Sequence, residues 1–203
     1  QEAQQLVETL AVFEQEYAAG TFQIEESFED MHSKIEYELT QRLGDVGKKI
    51  HLARSRNDQV LVALQLYFKD ALQEIGSKSA RLFQRLILLA DQHKNDSLPG
   101  YTHLQIAMPS SFGLWFSAYA ESLIDDMHML VAAQKINNQN PLGSAAGYGS
   151  SFPINRKRTT ELLSFDTLKY NVVAAQMSRG KIEKTIAQAI ANVAETLSRF
   201  SAD

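Results

Sequence analysis

From Asp58 to Asn95 the chain holds no proline, and Val60, Leu64, Tyr67, Phe68, Ala71, Leu72, Ile75, Leu82, Phe83, Leu86 and Leu89 recur at helical spacing. Residues so spaced share one face of an α-helix. A helix of that extent is roughly 55 Å long at ~1.5 Å per residue, so it needs partners of similar length. Two stripes supply them. One follows Pro109, a suitable first-turn residue, through Phe112, Trp115, Phe116, Tyr119, Leu123, Met127, Leu130 and Val131. The other runs from about Ser178 through Ile182, Ile186, Ala189, Ile190, Val193, Leu197 and Phe200. The predicted fold class is therefore all-α, a bundle of long, nearly parallel and antiparallel helices completed by other subunits. Wide, aromatic-rich stripes argue against a coiled-coil seam confined to two heptad positions.

Two shorter helices precede the bundle. Leu6, Leu10, Phe13 and Tyr17 form one stripe that Gly20 ends. The second is expected to start at Ser27, with Asp30 three positions on as in a capping box, and to close at Gly44. The expected division is a partial N-terminal helical domain over 1–56 and a truncated central bundle domain over 57–203. The opening Gln1-Glu2-Ala3-Gln4-Gln5 reads as a helix already under way, so the chain is expected to be cut from something longer. Two stretches break the helical pattern: 95–108, with Pro99-Gly100, and 137–153, rich in glycine and serine. A short strand fits between Phe165 and Val173.

Composition removes several classes of function. There is no cysteine, so disulfides and thiolate metal sites are excluded. The 5 histidines form no HxxxH or HExxH pair, and no metal is expected. The longest apolar run, around Leu86 to Ala90, is far short of the roughly 18 residues of a membrane span. The net charge is −4 with scattered cations, so no nucleic-acid partner is expected. No basic and apolar leader opens the chain, and the expected location is cytoplasmic.

Three places can carry chemistry. Arg54-Ser55-Arg56-Asn57-Asp58-Gln59 lies where the longest helix begins. Ser55 or Asn57 can cap that helix, and Asp58 and Gln59 suit its first turn. The same geometry offers free backbone N–H groups, two guanidiniums and an amide to a carboxylate ligand. His103, in Gly100-Tyr101-Thr102-His103-Leu104-Gln105, lies outside the regular helices after a Pro-Gly turn. A histidine so placed can work as general acid or base near neutral pH, or simply support its loop. The run from Pro141 to Ser151 lacks the pattern of a phosphate loop. Its small residues suit a close backbone approach to a neighbouring chain or ligand.

At these residues the sequence resembles the argininosuccinate lyases of the fumarase–aspartase superfamily, over essentially its whole length. Glu29-Asp30-Met31-His32, His51-Leu52-Ala53-Arg54-Ser55-Arg56-Asn57-Asp58-Gln59-Val60 and Gly100-Tyr101-Thr102-His103-Leu104-Gln105 carry the likeness. Asn140-Pro141-Leu142-Gly143-Ser144 and Phe152-Pro153-Ile154-Asn155-Arg156 follow in the expected order. The resemblance implies anti elimination of argininosuccinate to arginine and fumarate without a cofactor, in a homotetramer whose sites are each built by three subunits. It implies His103 as the catalytic acid, Asn57 and Thr102 as contacts to substrate carboxylates, and Ser55 and Arg56 in the same binding block. The family's serine loop, G-S-S-x-M-P-x-K-x-N-P, does not occur in these 203 residues. After Arg179, Gly180 and Lys181 stand where many relatives of that family have an acidic and an aromatic residue, so the resemblance leaves open argininosuccinate itself or an N-modified form as the substrate. The alternatives are a sister lyase of the superfamily or a crystallin-like relative without catalysis.

Overall fold

The computed structural model describes residues 1–203. Helices α1 (Glu2–Ala18), α2 (Met31–Leu43) and the short α3 (Asp45–Lys48) open the chain, and a 3₁₀ turn at Lys49–His51 leads to α4 (Arg56–Gln92). With 37 residues, α4 is about 55 Å long. A hairpin of β1 (Ser97–Thr102) and β2 (Gln105–Ser111) connects it to α5 (Phe112–Asn137). Then come β3 (Gln139–Asn140), α6 (Arg156–Leu162), β4 (Thr167–Leu168), α7 (Val172–Met177) and α8 (Lys181–Ala202). The body is all-α.

The expected stripes make the core. Leu72 of α4, Leu130 and Ala133 of α5, and Ile182, Ile186, Ala189 and Val193 of α8 form its largest buried cluster. Leu86 packs on Ala120 and Leu123, with Phe116, Tyr119 and Phe200 closing that end. Since early α4 meets late α5 and late α4 meets early α5, these two helices are antiparallel. Asn137, fully buried, fixes the far end by donating to the Gln65 carbonyl at 2.8 Å. A separate cluster of Phe13, Phe22 and Leu39 holds α1 to α2. Arg42 seals its rim, pairing with Glu16 at 2.9 Å and lying 4.6 Å from the Phe13 ring centroid.

Local boundaries depart from expectation in four places. Asp30, not Ser27, caps α2, its Oδ1 accepting from the Ser33 N–H at 2.7 Å. Ser27 lies in a turn one step earlier, because Phe28 folds against Tyr37 at 5.3 Å between ring centroids. Ser111, not Pro109, starts α5, with its hydroxyl accepting from the Leu114 N–H at 3.1 Å. Pro109 sits in β2 opposite Pro99, and each proline is tolerated because a two-stranded ribbon leaves one edge of every strand free. The segment expected as irregular chain around Pro99-Gly100 is thus an antiparallel hairpin, bulged where the register shifts after Gly100. The strand sought between Phe165 and Val173 is only Thr167–Leu168, parallel to Gln139–Asn140.

The turn from β2 into α5 depends on Gly113. A Cβ there would lie 2.6 Å from the Ala90 carbonyl oxygen and 2.6 Å from the Lys94 Cα, both backbone atoms that cannot step aside. Gly76, mid-way along α4, is the opposite case, since its Cβ would meet only the Met127 methyl at 3.7 Å. Gly113→Ala should therefore lower stability by about 1–3 kcal/mol through overpacking. Gly76→Ala should raise it by up to about 1 kcal/mol through helix propensity. Urea unfolding of the two variants reads both signs; equal effects would show that the α4–α5 approach is not tight.

Candidate active site

The Arg54–Gln59 block folds as its residue types direct. Ser55 is extended (φ −118°, ψ 157°) and caps α4, its hydroxyl accepting from the Asn57 N–H at 3.3 Å. Asp58 completes a capping box by accepting the Ser55 N–H at 2.9 Å on Oδ1. Its second oxygen does something the local pattern does not show. Asp58 Oδ2 accepts N–H groups from Gly143 and Ala145, both at 3.0 Å, across 85 and 87 residues of sequence. Gly143 and Ala145 have φ of 88° and 50°, the left-handed backbone that turns successive N–H groups inward as an anion nest. Asp58 is wholly buried, and its carboxylate fills that nest. The close approach expected of the glycine-rich run is therefore made to the start of α4.

Arg156 holds the same loop from its other side. It donates from Nε to the Leu142 carbonyl at 2.9 Å and from Nη2 to the Lys169 carbonyl at 2.9 Å. Burial presses its pKa below the ordinary arginine value, and the Asp58 charge works against that shift. A Cβ on Gly143 would stand 2.8 Å from Arg156 Cγ, so glycine is required there by space as well as by φ. Gln176 donates to Ser144 Oγ at 2.8 Å, and Asn140 Oδ1 accepts the Leu142 N–H at 3.0 Å. The loop is thus built as a rigid shelf behind the helix start. Asp58, Arg156 and Gln176 are the residues that sequence reasoning missed; only the capping-box half of Asp58 had a local signal.

The expected binding residues divide into two places. Arg56 turns toward α2: its guanidinium donates to Ser33 Oγ at 3.2 Å and Gln59 Oε1 at 3.2 Å, and pairs with Glu36 at 3.3 Å and Asp30 at 3.5 Å. Asn57 is exposed at the first turn of α4, and Arg54 beside it is exposed too. Burial works against ionisation of Asp30, but the Ser33 N–H and hydroxyl and the Arg56 charge outweigh it and hold its carboxyl below the ordinary value. Burial lowers the His32 pKa; the Asp30 charge opposes this and the Arg56 charge adds to it.

Thr102 and His103 lie elsewhere. Thr102 ends β1 opposite Gln105, and His103 and Leu104 are the two turn residues, with φ of 50° and 63°. Positive φ at both positions gives the type I′ turn that suits the twist of a hairpin. His103 is exposed at the tip, and Leu104 beside it is 98% exposed. The hairpin springs from the far end of the ~55 Å helix α4, and its 6- and 7-residue strands span only about 20 Å in whatever direction they run. Within one chain, Asn57 and His103 are therefore roughly 30 Å or more apart.

The chain belongs to the lyase family, which matches residues 1–203. It is 58% identical over 203 residues to the argininosuccinate lyase of Bacteroides thetaiotaomicron, covering all of this chain and 46% of that one. To the argininosuccinate lyase of Parabacteroides distasonis it is 60% identical over 184 residues, 91% of this chain and 41% of that one. The chain thus spans about half the length of the curated relatives it matches. Among solved structures, a variant of EDDS lyase with bound fumarate superposes with a TM-score of 0.78 at 23% identity, over 100% of this chain and 41% of that one. The fumarate lyase:delta crystallin of Brucella melitensis gives 0.71 at 20% identity, over 81% and 37%. These two share the fold, an all-α bundle of long helices.

Two measurements test the site's construction. Asp58→Asn keeps the shape but puts an amide into a nest of N–H donors, so unfolding should cost about 3 kcal/mol less. Wild-type stability in urea would show the nest to be incidental. The second concerns pH. Lowered folded pKa values at His32 and Asp30 mean that the unfolded state takes up protons first as pH falls. Stability should decline below the ordinary histidine value of 6.5, and again below the ordinary carboxyl value of 3.8. His32→Asn should flatten the first decline and leave the second.

Proposed function

We propose that the protein to which this chain belongs is a carbon–nitrogen lyase of arginine biosynthesis that splits argininosuccinate into arginine and fumarate. The observation that carries this is the 58% identity to an argininosuccinate lyase over every residue of the chain, with its two chemical blocks folded at a helix start and a hairpin tip. The first, Ser55, Arg56 and Asn57, binds a substrate carboxylate. Asn57 offers its exposed amide beside the positive end of α4, while Ser55 caps that helix and Arg56 fixes it to α2. Thr102 meets a second carboxylate. His103 is the catalytic acid, giving a proton to the leaving guanidino nitrogen as the carbon–nitrogen bond breaks. A base, which the family resemblance assigns to a serine loop that these 203 residues do not hold, takes the proton from the carbon next to a carboxylate; the electron pair left behind spreads into that carboxylate and then forms the carbon–carbon double bond as the nitrogen leaves, so the groups on that carboxylate act most strongly on the transition state.

The assembly we propose is a homotetramer, cytoplasmic, with sites shared between subunits. The separation of Asn57 from His103 supports sharing. So does the hairpin surface, where Tyr101 (62%), Ile106 (70%) and Met108 (72%) stand exposed on a ribbon that is marginal alone in water. Leu114 and Ile124 on α5 likewise remain open along the bundle. The division into an N-terminal helical unit over 1–56 and a bundle over 57–203 is proposed on the separate core around Phe13 and Leu39.

In the complete gene product, His103→Asn should cut kcat by ~10²–10⁴-fold with little change in substrate binding. Asn57→Ala should weaken binding by ~1.5–3 kcal/mol at unchanged melting temperature. Kinetics with argininosuccinate, beside thermal melts of the same variants, separate these roles from loop support and helix capping. A His103→Asn enzyme with normal kcat would sink the acid assignment.

A further inference from the structure

The α5–α8 contact is apolar for most of its length and polar at one level. There Tyr119, Ser122 and Asp126 of α5 face Asn192, Glu195 and Thr196 of α8 around a cavity of ≈170 Å³. Asp126 lines this cavity and is only 7% exposed; no hydrogen bond or ion pair engages its carboxylate, and because Oδ2 is sealed inside the protein, Oδ1 is the oxygen that a bound group can reach. The one cation on the rim, Arg199, is taken by Glu195 at 2.6 Å, one turn away on its own helix. A carboxylate withdrawn from water without a partner is far costlier than one left in solvent, and it draws positive charge to itself.

We propose that this cavity is a binding site for a singly charged nitrogen cation, an ammonium or guanidinium head, neutralised by Asp126. The hydroxyls of Ser122 and Thr196 and the amide of Asn192 supply neutral oxygens for its N–H groups, and Glu195 stands at the mouth. Two carboxylates, one of them already paired, are too few for a calcium-like ion that takes six to eight oxygens. The cavity has room for such a head together with several waters, since one water claims ~30 Å³. Two sources carry this chemistry: a free ammonium ion, or a lysine or arginine side chain of a second copy of the chain. The site uses no residue assigned to catalysis, so it stands or falls independently of the lyase reading.

The test is a set of thermal melts in ammonium chloride and in tetramethylammonium chloride at equal ionic strength, since the methylated ion has no N–H to donate. Wild type and Asp126→Asn are compared across a hundredfold range of protein concentration, with light scattering alongside. A free-ion site predicts a melting point higher by a few degrees in ammonium for wild type and no difference for Asp126→Asn. A side chain from a second copy predicts a melting point that climbs with protein concentration and an Asp126→Asn variant that assembles less tightly. Should Asp126→Asn fold poorly, Ser122→Ala and Thr196→Val must shrink the ammonium effect, or loosen assembly, without lowering the melting point of the dilute protein in tetramethylammonium. Asp126→Asn melting at or above wild type, with neither salt nor concentration dependence, would overturn the proposal.

Discussion

The carboxylate of Asp58 joins three parts of the chain that are otherwise far apart. One oxygen closes the cap of α4 through the Ser55 N–H; the other is held by the N–H groups of Gly143 and Ala145. The loop it holds is braced by Arg156, whose guanidinium also gathers the carbonyls of Leu142 and Lys169. Through β3 and β4 this brace reaches the end of α5 and the approach to α7. The start of the longest helix, the glycine-rich loop and the α6–α7 region therefore share one buried anion. The nest is filled from within, and Asn57 and Arg54 stand on the exposed side of the same helix start.

Helix length sets the second constraint. A helix of 37 residues puts the Asn57 end and the His103 hairpin at opposite ends of the chain's long axis. The base of the hairpin is fixed to the far end of α4, because the Gly113 N–H at the start of α5 donates to the carbonyl of His93, the residue that caps α4, at 3.1 Å. A site using both residues has to be assembled from more than one copy. The apolar hairpin tip and the unpaired side of α5 are surfaces of the kind such assembly covers.

The sequence made the three long helices legible because apolar side chains recur along them for many turns, a signal that averages over local noise. α4 was expected over Asp58–Asn95 and is observed over Arg56–Gln92. The hairpin was not legible: His103-Leu104 lacks the Asn-Gly or Asp-Gly signature of its turn type, and its strands are exposed on both faces, so no alternation marks them. Pro109 pointed to a helix start because a first-turn proline is common, but strand pairing with Pro99 claimed it and the cap fell to Ser111. At the site, the Ser55–Asp58 capping box was readable from four residues. The Asp58–Gly143 bond was not, since nothing local says which distant N–H groups a buried carboxylate will meet. Arg56 shows the same limit, for its fork was open to a ligand by type and is engaged by Asp30, Ser33 and Glu36 in the fold.

The central claim, that one reaction centre draws its carboxylate-binding block and its acid from different copies of this chain, has a direct test. Asn57→Ala and His103→Asn versions of the complete enzyme, the first impaired in binding and the second in turnover, can be mixed under conditions that exchange subunits and assayed for fumarate release at argininosuccinate concentrations far below saturation, where both are weak. Shared sites predict that mixed assemblies regain a substantial fraction of wild-type activity, because some centres then receive Asn57 from one copy and His103 from another. Mixed assemblies that demonstrably form yet give no more than the average activity of the two parents would contradict the account.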